Sequence, residues 1–282
     1  MYQCFNLSVA DKVAHIRFNR PQKRNSMVRE FWDELPAAVR EIDAAGDARV
    51  LVLSSEGPHF TAGLDLSMFG EGAISGAGED GAVRKKQRAL RFMENLERMQ
   101  DSFSALERCR VPVLAAVQGG CIGGGVDLVT ACDMRYAVKD AYFTIFEIKV
   151  GMTADVGTFP RIVKLLPEGV ARELAYTGRP LGAEEALRLG FVNQTYESAD
   201  ALLEGVMAVA AEIASHPPLA VHGCKRAITY ARDHSTQDGL DWISLWNASM
   251  LLPDEVQESI KARQEKRRGK FADLPPLHSK VG

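Results

Sequence analysis

Three acidic residues stand in apolar surroundings close together in the chain. Asp127 lies between Val126 and Leu128, Glu147 between Phe146 and Ile148, and Asp155 between Ala154 and Val156. A carboxyl group removed from water holds its proton more tightly, which suits it to proton transfer near neutral pH. Any one of the three is equally at home as a helix cap or a surface group. Three converging on one place would be an acid–base site, and convergence requires a fold. Just before Asp127 runs Gly-Gly-Cys-Ile-Gly-Gly-Gly, residues 119–125. Its glycines do not register as G-x-G-x-x-G, and no Gly-Lys-Ser/Thr follows, so it is not a nucleotide phosphate loop. A tight glycine turn that opens a helix presents backbone N–H groups to an oxyanion. The same glycines also permit close helix–strand packing. A second turn, His59-Phe60-Thr61-Ala62-Gly63-Leu64-Asp65-Leu66, can supply another N–H. Asp65 within it reads as a turn or capping residue.

Other chemistries find no residues. There is no G-x-S-x-G elbow. The six histidines, 15, 59, 216, 222, 234 and 278, show no metal-ligand spacing and read as surface or packing residues, so no metal site is expected. Five cysteines, an odd number with no C-x-x-C pair, read as small buried hydrophobes in a reducing compartment.

The elements that must position these residues alternate between strand and helix. Residues 5–9 and 13–18 interleave apolar and polar side chains around a turn at Ala10-Asp11-Lys12. A helix is predicted from about Met27, capped by Asn25 or Ser26, with the stripe Met27, Phe31, Leu35, Val39 and Ile42. Pro36 inside that stripe should kink or split it. Val50-Leu51-Val52-Leu53 reads as a strand buried on both faces. Residues 55–81 read as loop, glycine-rich and mobile in the second half. A charged helix over 83–106 follows, then strands over 113–117 and 134–138, with a short helix after the glycine turn carrying Asp127 in its first turn. Glu147 falls at the end of the next strand segment. Residues 157–189 are mainly helical and stopped by Gly190, 191–194 is a candidate strand, and 200–263 is helical apart from Pro217-Pro218. This alternation predicts an α/β fold with a largely parallel sheet. Trp242, Trp246, Met250, Leu251 and Leu252 are an apolar surplus that serves either core or a subunit interface.

Composition bounds the rest. The chain has 282 residues, 46% hydrophobic and 25% charged, with a net charge of −3. That is ample material for a core, so disorder is excluded. No run approaches the roughly 18 apolar residues of a membrane span, and no global basic field recruits nucleic acid. The N-terminus shows neither a secretory signal nor an Arg-rich presequence, and the C-terminus lacks Ser-Lys-Leu. These features lead to an expectation of a cytoplasmic protein.

Over nearly its whole length the sequence resembles the crotonase, or enoyl-CoA hydratase/isomerase, superfamily. The matching motifs are Asn19-Arg20-Pro21 with Asn25 and Ser26, the 60–66 turn, and Pro112-Val113-Leu114-Ala115-Ala116-Val117-Gln118-Gly119. They continue with Gly123-Gly124-Gly125-Val126-Asp127-Leu128, Ala131-Cys132-Asp133, Thr177-Gly178-Arg179 and 183–192. The resemblance implies a crotonase-like ββα spiral catalytic core over 1–199 and a C-terminal α-helical oligomerisation region over 200–282. It implies an oxyanion hole from the N–H groups of Leu64 and Gly124 for an acyl-CoA thioester. Hydratases carry glutamates at the positions of Asp127 and Glu147. An aspartate at the first, with Asp155 added, is similar to Δ3,5-Δ2,4-dienoyl-CoA isomerases of fatty-acid β-oxidation. In that reading Glu147 works at C2, Asp155 at C6, and Asp127 tunes Glu147. Enoyl-CoA hydratase and a non-catalytic acyl-CoA- or RNA-binding relative are the alternatives. Acyl-CoA is then substrate, with no cofactor. Its contacts are assigned to Arg24, Ser26, Ala62, Asp65 and Lys266. Two basic clusters suit the polyanionic CoA, Arg20/Lys23/Arg24 and the residues from Lys261 to Lys270. The assembly implied is a homotrimer or a dimer of trimers.

Overall fold

The computed structural model describes residues 2–69 and 82–277. The 70–81 segment, read above as the glycine-rich half of a loop, lies outside the described residues, as does His278. The chain begins with a hairpin, β1 (Phe5–Ala10) and β2 (Val13–Phe18), paired from Phe5↔Phe18 to Ala10↔Val13. Asp11 and Lys12 both take positive φ, 49° and 68°. That is the twist a two-residue hairpin turn demands, met here without glycine. From β2 the sheet continues in parallel through β3 (Val50–Ser55), β4 (Val113–Val117), β6 (Met134–Val138) and β9 (Gln194–Tyr196), in the order β1-β2-β3-β4-β6-β9. Every residue of β3 and β4 is buried, as their unbroken apolar runs require of central strands covered on both faces.

Helix α1 (Arg29–Ala45) follows the hairpin and buries Phe31, Trp32, Leu35, Val39 and Ile42. Pro36 neither splits nor ends it. A proline cannot donate to the carbonyl four residues back, and here the Ser102 hydroxyl of α2 (Ala82–Arg108) donates to Trp32 O instead, at 2.7 Å. The expected cap is also corrected. The N-cap is Val28, with no side-chain bond, and Asn25 and Ser26 are engaged elsewhere.

A second sheet, absent from the sequence reading, sits beyond the ends of β4 and β6. It comprises β5 (Gly120–Ile122), β7 (Tyr142–Thr144) and β8 (Leu181–Gly182). The glycine turn is therefore partly a strand. Short helices α3 (Gly124–Thr130), α4 (Thr158–Ile162), α5 (Glu168–Thr177) and α6 (Ala183–Arg188) fill the intervals. The strand expected from Phe191 forms three residues later, because the Phe191 and Val192 amides both donate to Ala186 O rather than to a neighbouring strand.

Helix α7 (Ala199–Ala214) lies on the main sheet, burying Leu202, Val206, Ala210 and Ala214 in the same core. The remaining helices, α8 (Pro218–Asp233), α9 (Thr236–Met250) and α10 (Pro253–Gln264), bury little, and α9 has no buried residue. Tyr230, Trp242 and Trp246 stack on one another there, while Ile228 and Leu245 are 71% and 70% exposed. Lys225 anchors α8: its ammonium is buried and donates to Leu106 O and Val111 O, and pairs with Asp133 at 3.0 Å.

Candidate active site

The end of β4 feeds Gly119 and β5, and β5 feeds α3, so the glycine run bends the chain twice within a few residues. At Gly123, φ is 54° and ψ −119°, a conformation open to glycine alone. A β-carbon there would also stand 3.1 Å from Glu147 Oε1. The turn is held by His59, whose Nδ1 accepts from Gly120 N at 3.0 Å. His59 thus has a positioning contact that its sequence context did not signal.

The 60–66 turn runs alongside. Thr61 bridges to Cys121 in parallel fashion, and Met27 bridges to Leu64. Met27 N donates to Gly63 O at 2.8 Å, and Asp65 N donates to Met27 O at 3.0 Å. A residue bracketed by two such bonds turns its own N–H to the opposite side. That side faces Gly124: a β-carbon on Gly63 would lie 3.2 Å from Gly124 N, and one on Gly124 would lie 3.9 Å from Leu64 N. Gly124 opens α3, where first-turn N–H groups have no intrahelical acceptor. Among the described residues, neither Leu64 N nor Gly124 N donates to a protein group. The structure therefore brings together the two N–H groups that the resemblance singled out.

The three carboxylates also lie within electrostatic reach of one another. Asp127, in the first turn of α3, is 1% exposed, and its Oδ1 accepts from Thr158 N at 2.6 Å. Burial pushes its carboxyl up to about 6 against the pull of Thr158. Glu147 starts a short 3-10 helix, Glu147–Val150, rather than ending a strand. Burial first, and then the charge of Asp127, push it up to about 7. Its Oε2 is buried with no hydrogen-bond partner among the described residues. Asp155 is also raised by burial, and its charge contributes to the elevation of both other acids. Its main chain is tied to α2 by Gln100 Nε2, which donates to Asp155 O at 2.7 Å. Asp155 lines a cavity of about 460 Å³ with Ser104, Glu107, Arg161 and Arg232. Behind it Arg161 pairs with Glu107 at 3.2 Å, and Arg232 pairs with Glu107 and Asp233.

Of the residues assigned to CoA, four gather beside Leu64. Ala62 N donates to Arg24 O at 2.9 Å, and the Ser26 hydroxyl donates to Asp65 Oδ2 at 2.5 Å. Asp65 also accepts from Ser67 N and Ser67 Oγ, and these hydroxyl and amide donors hold its carboxyl down, at about 2. It is a turn residue, as its context predicted. Lys266 is exposed, with φ 52°, just past α10, and no described contact joins it to the other four. Its neighbour Arg267 is engaged by Glu258 and Glu265. Four of the cysteines are buried as expected, whereas Cys224 is exposed. No group of His, Cys, Asp and Glu among the described residues has the arrangement to hold a metal ion, and no described helix is long and apolar enough to cross a membrane.

Two free backbone N–H donors with raised acids beside them suit proton transfer next to a developing oxyanion. Residues 8–274 match the enoyl-CoA hydratase/isomerase family, and the chain belongs to it. It is 40% identical over 278 residues to a Δ(3,5)-Δ(2,4)-dienoyl-CoA isomerase, mitochondrial, of Mus musculus, covering 98% of this chain and 84% of that protein. It is 38% identical over 263 residues to a peroxisomal one of Arabidopsis thaliana, covering 93% of each. A crystal structure of an enoyl-CoA hydratase subunit from Geobacillus kaustophilus superposes with a TM-score of 0.82 at 29% identity, covering 96% of this chain and 98% of that one. The fold is the α/β crotonase fold. The expectation of a cytoplasmic protein is corrected by these relatives, which are mitochondrial and peroxisomal by name.

Proposed function

We propose that this chain is a dienoyl-CoA isomerase of fatty-acid metabolism, converting 3,5-dienoyl-CoA to 2,4-dienoyl-CoA. The observation that carries the reading is the triad of acids: Glu147 with an unpartnered buried oxygen, Asp155 as a second raised acid, and Asp127 behind them. Leu64 N–H and Gly124 N–H hold the thioester oxygen as it gains negative charge. Each such donor contributes on the order of 10²–10³ in rate. Glu147 takes the proton from C2, leaving a trienolate whose charge spreads through C4 to C6. Protonated Asp155 delivers a proton to C6, and solvent restores both acids. One carboxylate cannot serve both carbons without moving, so two acids along the acyl chain match the task. Burial first, and then the charge of Asp127, raise Glu147 toward neutral pH. These steps are proton transfers with acyl-CoA as substrate and no cofactor.

Hydration would need two carboxylates to orient one water. Here Asp127 has one oxygen committed to Thr158 N, which favours isomerisation. The test is turnover of a 3,5-dienoyl-CoA, read by the longer-wavelength absorbance of its conjugated product, beside loss of the enoyl absorbance of crotonyl-CoA. Faster hydration than isomerisation makes the chain a hydratase. Turnover of neither makes it a non-catalytic acyl-CoA binder.

Arg24, Ser26, Ala62, Asp65 and Lys266 are proposed as the CoA side of the site, so affinity for acyl-CoA should weaken with added salt. The exposed apolar face of α8–α10, including Leu245 and Leu251, is proposed as the interface of a homotrimer or dimer of trimers. Leu245→Glu should lower the mass measured by light scattering, and an unchanged mass refutes that interface.

A further inference from the structure

The aim of the Leu64 N–H depends on Thr61, three residues before it in the same turn. Thr61 is wholly buried. Its hydroxyl donates to Asn25 O at 2.7 Å and accepts from Gly63 N at 3.1 Å. Its amide donates to Gly120 O and its carbonyl accepts from Ile122 N, both at 3.1 Å. Its methyl fills the space beside Gly125, where a β-carbon would lie 2.5 Å from Thr61 Cγ2. One residue thus links the two segments: its main chain pairs with the strand that leads into Gly124, and its hydroxyl holds the turn that carries Leu64.

Asn25 completes the arrangement from the other side. It is 5% exposed and holds a left-handed φ of 52°. Its Oδ1 accepts from Arg20 N at 2.9 Å, and its Nδ2 donates to Glu56 O at 2.9 Å and His59 O at 3.0 Å. All its side-chain bonds end on backbone, so it fixes a path rather than a ligand. Two residues on, Met27 N pins Gly63 O. A trans peptide carries its C=O and N–H on opposite sides. The Gly63 carbonyl held by Met27 fixes the Gly63–Leu64 peptide plane, and the Gly63 amide held by Thr61 fixes the Ala62–Gly63 plane that leads into it.

We propose that Thr61 and Asn25 are positioning residues that aim the Leu64 N–H at the thioester oxygen and hold it in register with the Gly124 N–H. The proposal rests on the reading of those two N–H groups as the oxyanion hole, but not on which reaction follows. Preorganised donors act through fixed aim, since a donor that must reorient loses its advantage over water. Removing the Thr61 hydroxyl leaves the Gly63 amide without its acceptor and loosens the Ala62–Gly63 plane, so that the Met27 bond alone holds the next plane, which carries the Leu64 N–H.

The test uses Thr61→Val, which keeps the shape and removes the hydroxyl, and Thr61→Ser, which keeps the hydroxyl. The probes are acetoacetyl-CoA, whose acyl group ionises to an enolate, and free CoA, which has no acyl oxygen. In Thr61→Val, affinity for acetoacetyl-CoA as the enolate should fall about tenfold to a hundredfold, with CoA affinity unchanged. The value of kcat on dienoyl-CoA should fall by a similar factor with KM nearly constant. Thr61→Ser should return both to within about threefold of wild type. Equal losses for CoA and acetoacetyl-CoA, no loss for either, or no rescue by serine overturn the proposal. A wild-type protein that binds acetoacetyl-CoA but does not isomerise dienoyl-CoA defeats the proposed function and leaves this inference to the binding data. A wild type that binds CoA but shows no preference for the enolate overturns both the oxyanion hole and the clamp. Should Thr61→Val not fold, hydrogen exchange in the wild type decides. The Gly63 amide should exchange slowly, while those of Leu64 and Gly124 exchange fast until acetoacetyl-CoA protects them. Fast exchange at Gly63 refutes the clamp.

Discussion

Replacing Asp155 with asparagine separates the two halves of the proposed reaction. The change is nearly isosteric, and the bond from Gln100 to the backbone oxygen of residue 155 survives it, so the loop keeps its anchor. Asparagine cannot deliver a proton to C6. A positioned general acid contributes about 10²–10⁴ in rate, on the order of 3–5 kcal/mol of barrier, so product formation should fall by that factor. Abstraction at C2 should survive. Asp155 is one of the charges that raise Glu147, so its removal lowers the Glu147 carboxyl slightly from about 7 and leaves more of it ionised at neutral pH. The assay is incubation of 3,5-dienoyl-CoA in D₂O, with product followed by absorbance and deuterium at C2 followed by mass spectrometry. The variant should wash deuterium into C2 within about threefold of the wild-type rate while making almost no product. Product formation within tenfold of wild type refutes Asp155 as the C6 acid. Loss of C2 exchange in step with product refutes the division of labour.

Glu147→Gln should abolish C2 exchange altogether, and it should stabilise the fold at alkaline pH. The Glu147 carboxyl is raised from 4.5 to about 7, so the native state holds the proton more tightly than the unfolded state and stability falls as pH rises through that window. The difference is about 2–3 kcal/mol. Urea unfolding should therefore show the variant gaining on wild type between pH 5 and 8, and no gain there contradicts the buried-acid assignment. Gly123→Ala forces a β-carbon to 3.1 Å from Glu147 Oε1 at φ 54°. Strain of about 1–3 kcal/mol and a loss of kcat of at least tenfold are expected, and near-normal turnover contradicts the contact. Glu107→Gln leaves Arg161 and Arg232 without their shared partner; their side chains are 11% and 31% exposed. The fold should lose about 2–3 kcal/mol in urea titrations at pH 7. Because Glu107 is held below its ordinary range by the two arginines against the cost of burial, the gap to wild type should close as pH falls through the carboxylate range.

The sequence carried the main sheet well because β3 and β4 are apolar on both faces, a pattern few other elements share. It also placed Asp127 correctly, since a glycine run followed by a helix leaves little choice for the first turn. The second sheet was illegible for a physical reason: β5, β7 and β8 have three, three and two residues, too short for any periodicity, and β5 includes a glycine. The role of Asn25 was misread because a polar residue before an apolar stripe matches an N-cap. Only the fold shows its side chain spanning to Glu56 and His59, more than thirty residues away. Pro36 was misread likewise, since its remedy, Ser102, lies on another helix. Long-range partners of this kind leave no local trace.

The same separation explains how a site built on such short elements stays fixed. Buried acids oppose folding as they ionise, and Asp127 at 1% exposure is among the most enclosed. Its compensation comes from Thr158, thirty-one residues on, whose amide ties α3 to α4, with help from the Arg161 charge. A glutamate at 127 would reach one methylene further and could not keep its carboxyl at that amide without shifting the helix. Under the proposed function, the shorter side chain keeps this carboxyl at Thr158 and leaves Glu147 to act as the base, with Asp127 as its charged neighbour. On this reasoning, the choice between adding water and moving double bonds follows from where the fold places one backbone N–H as much as from the identity of the acids themselves.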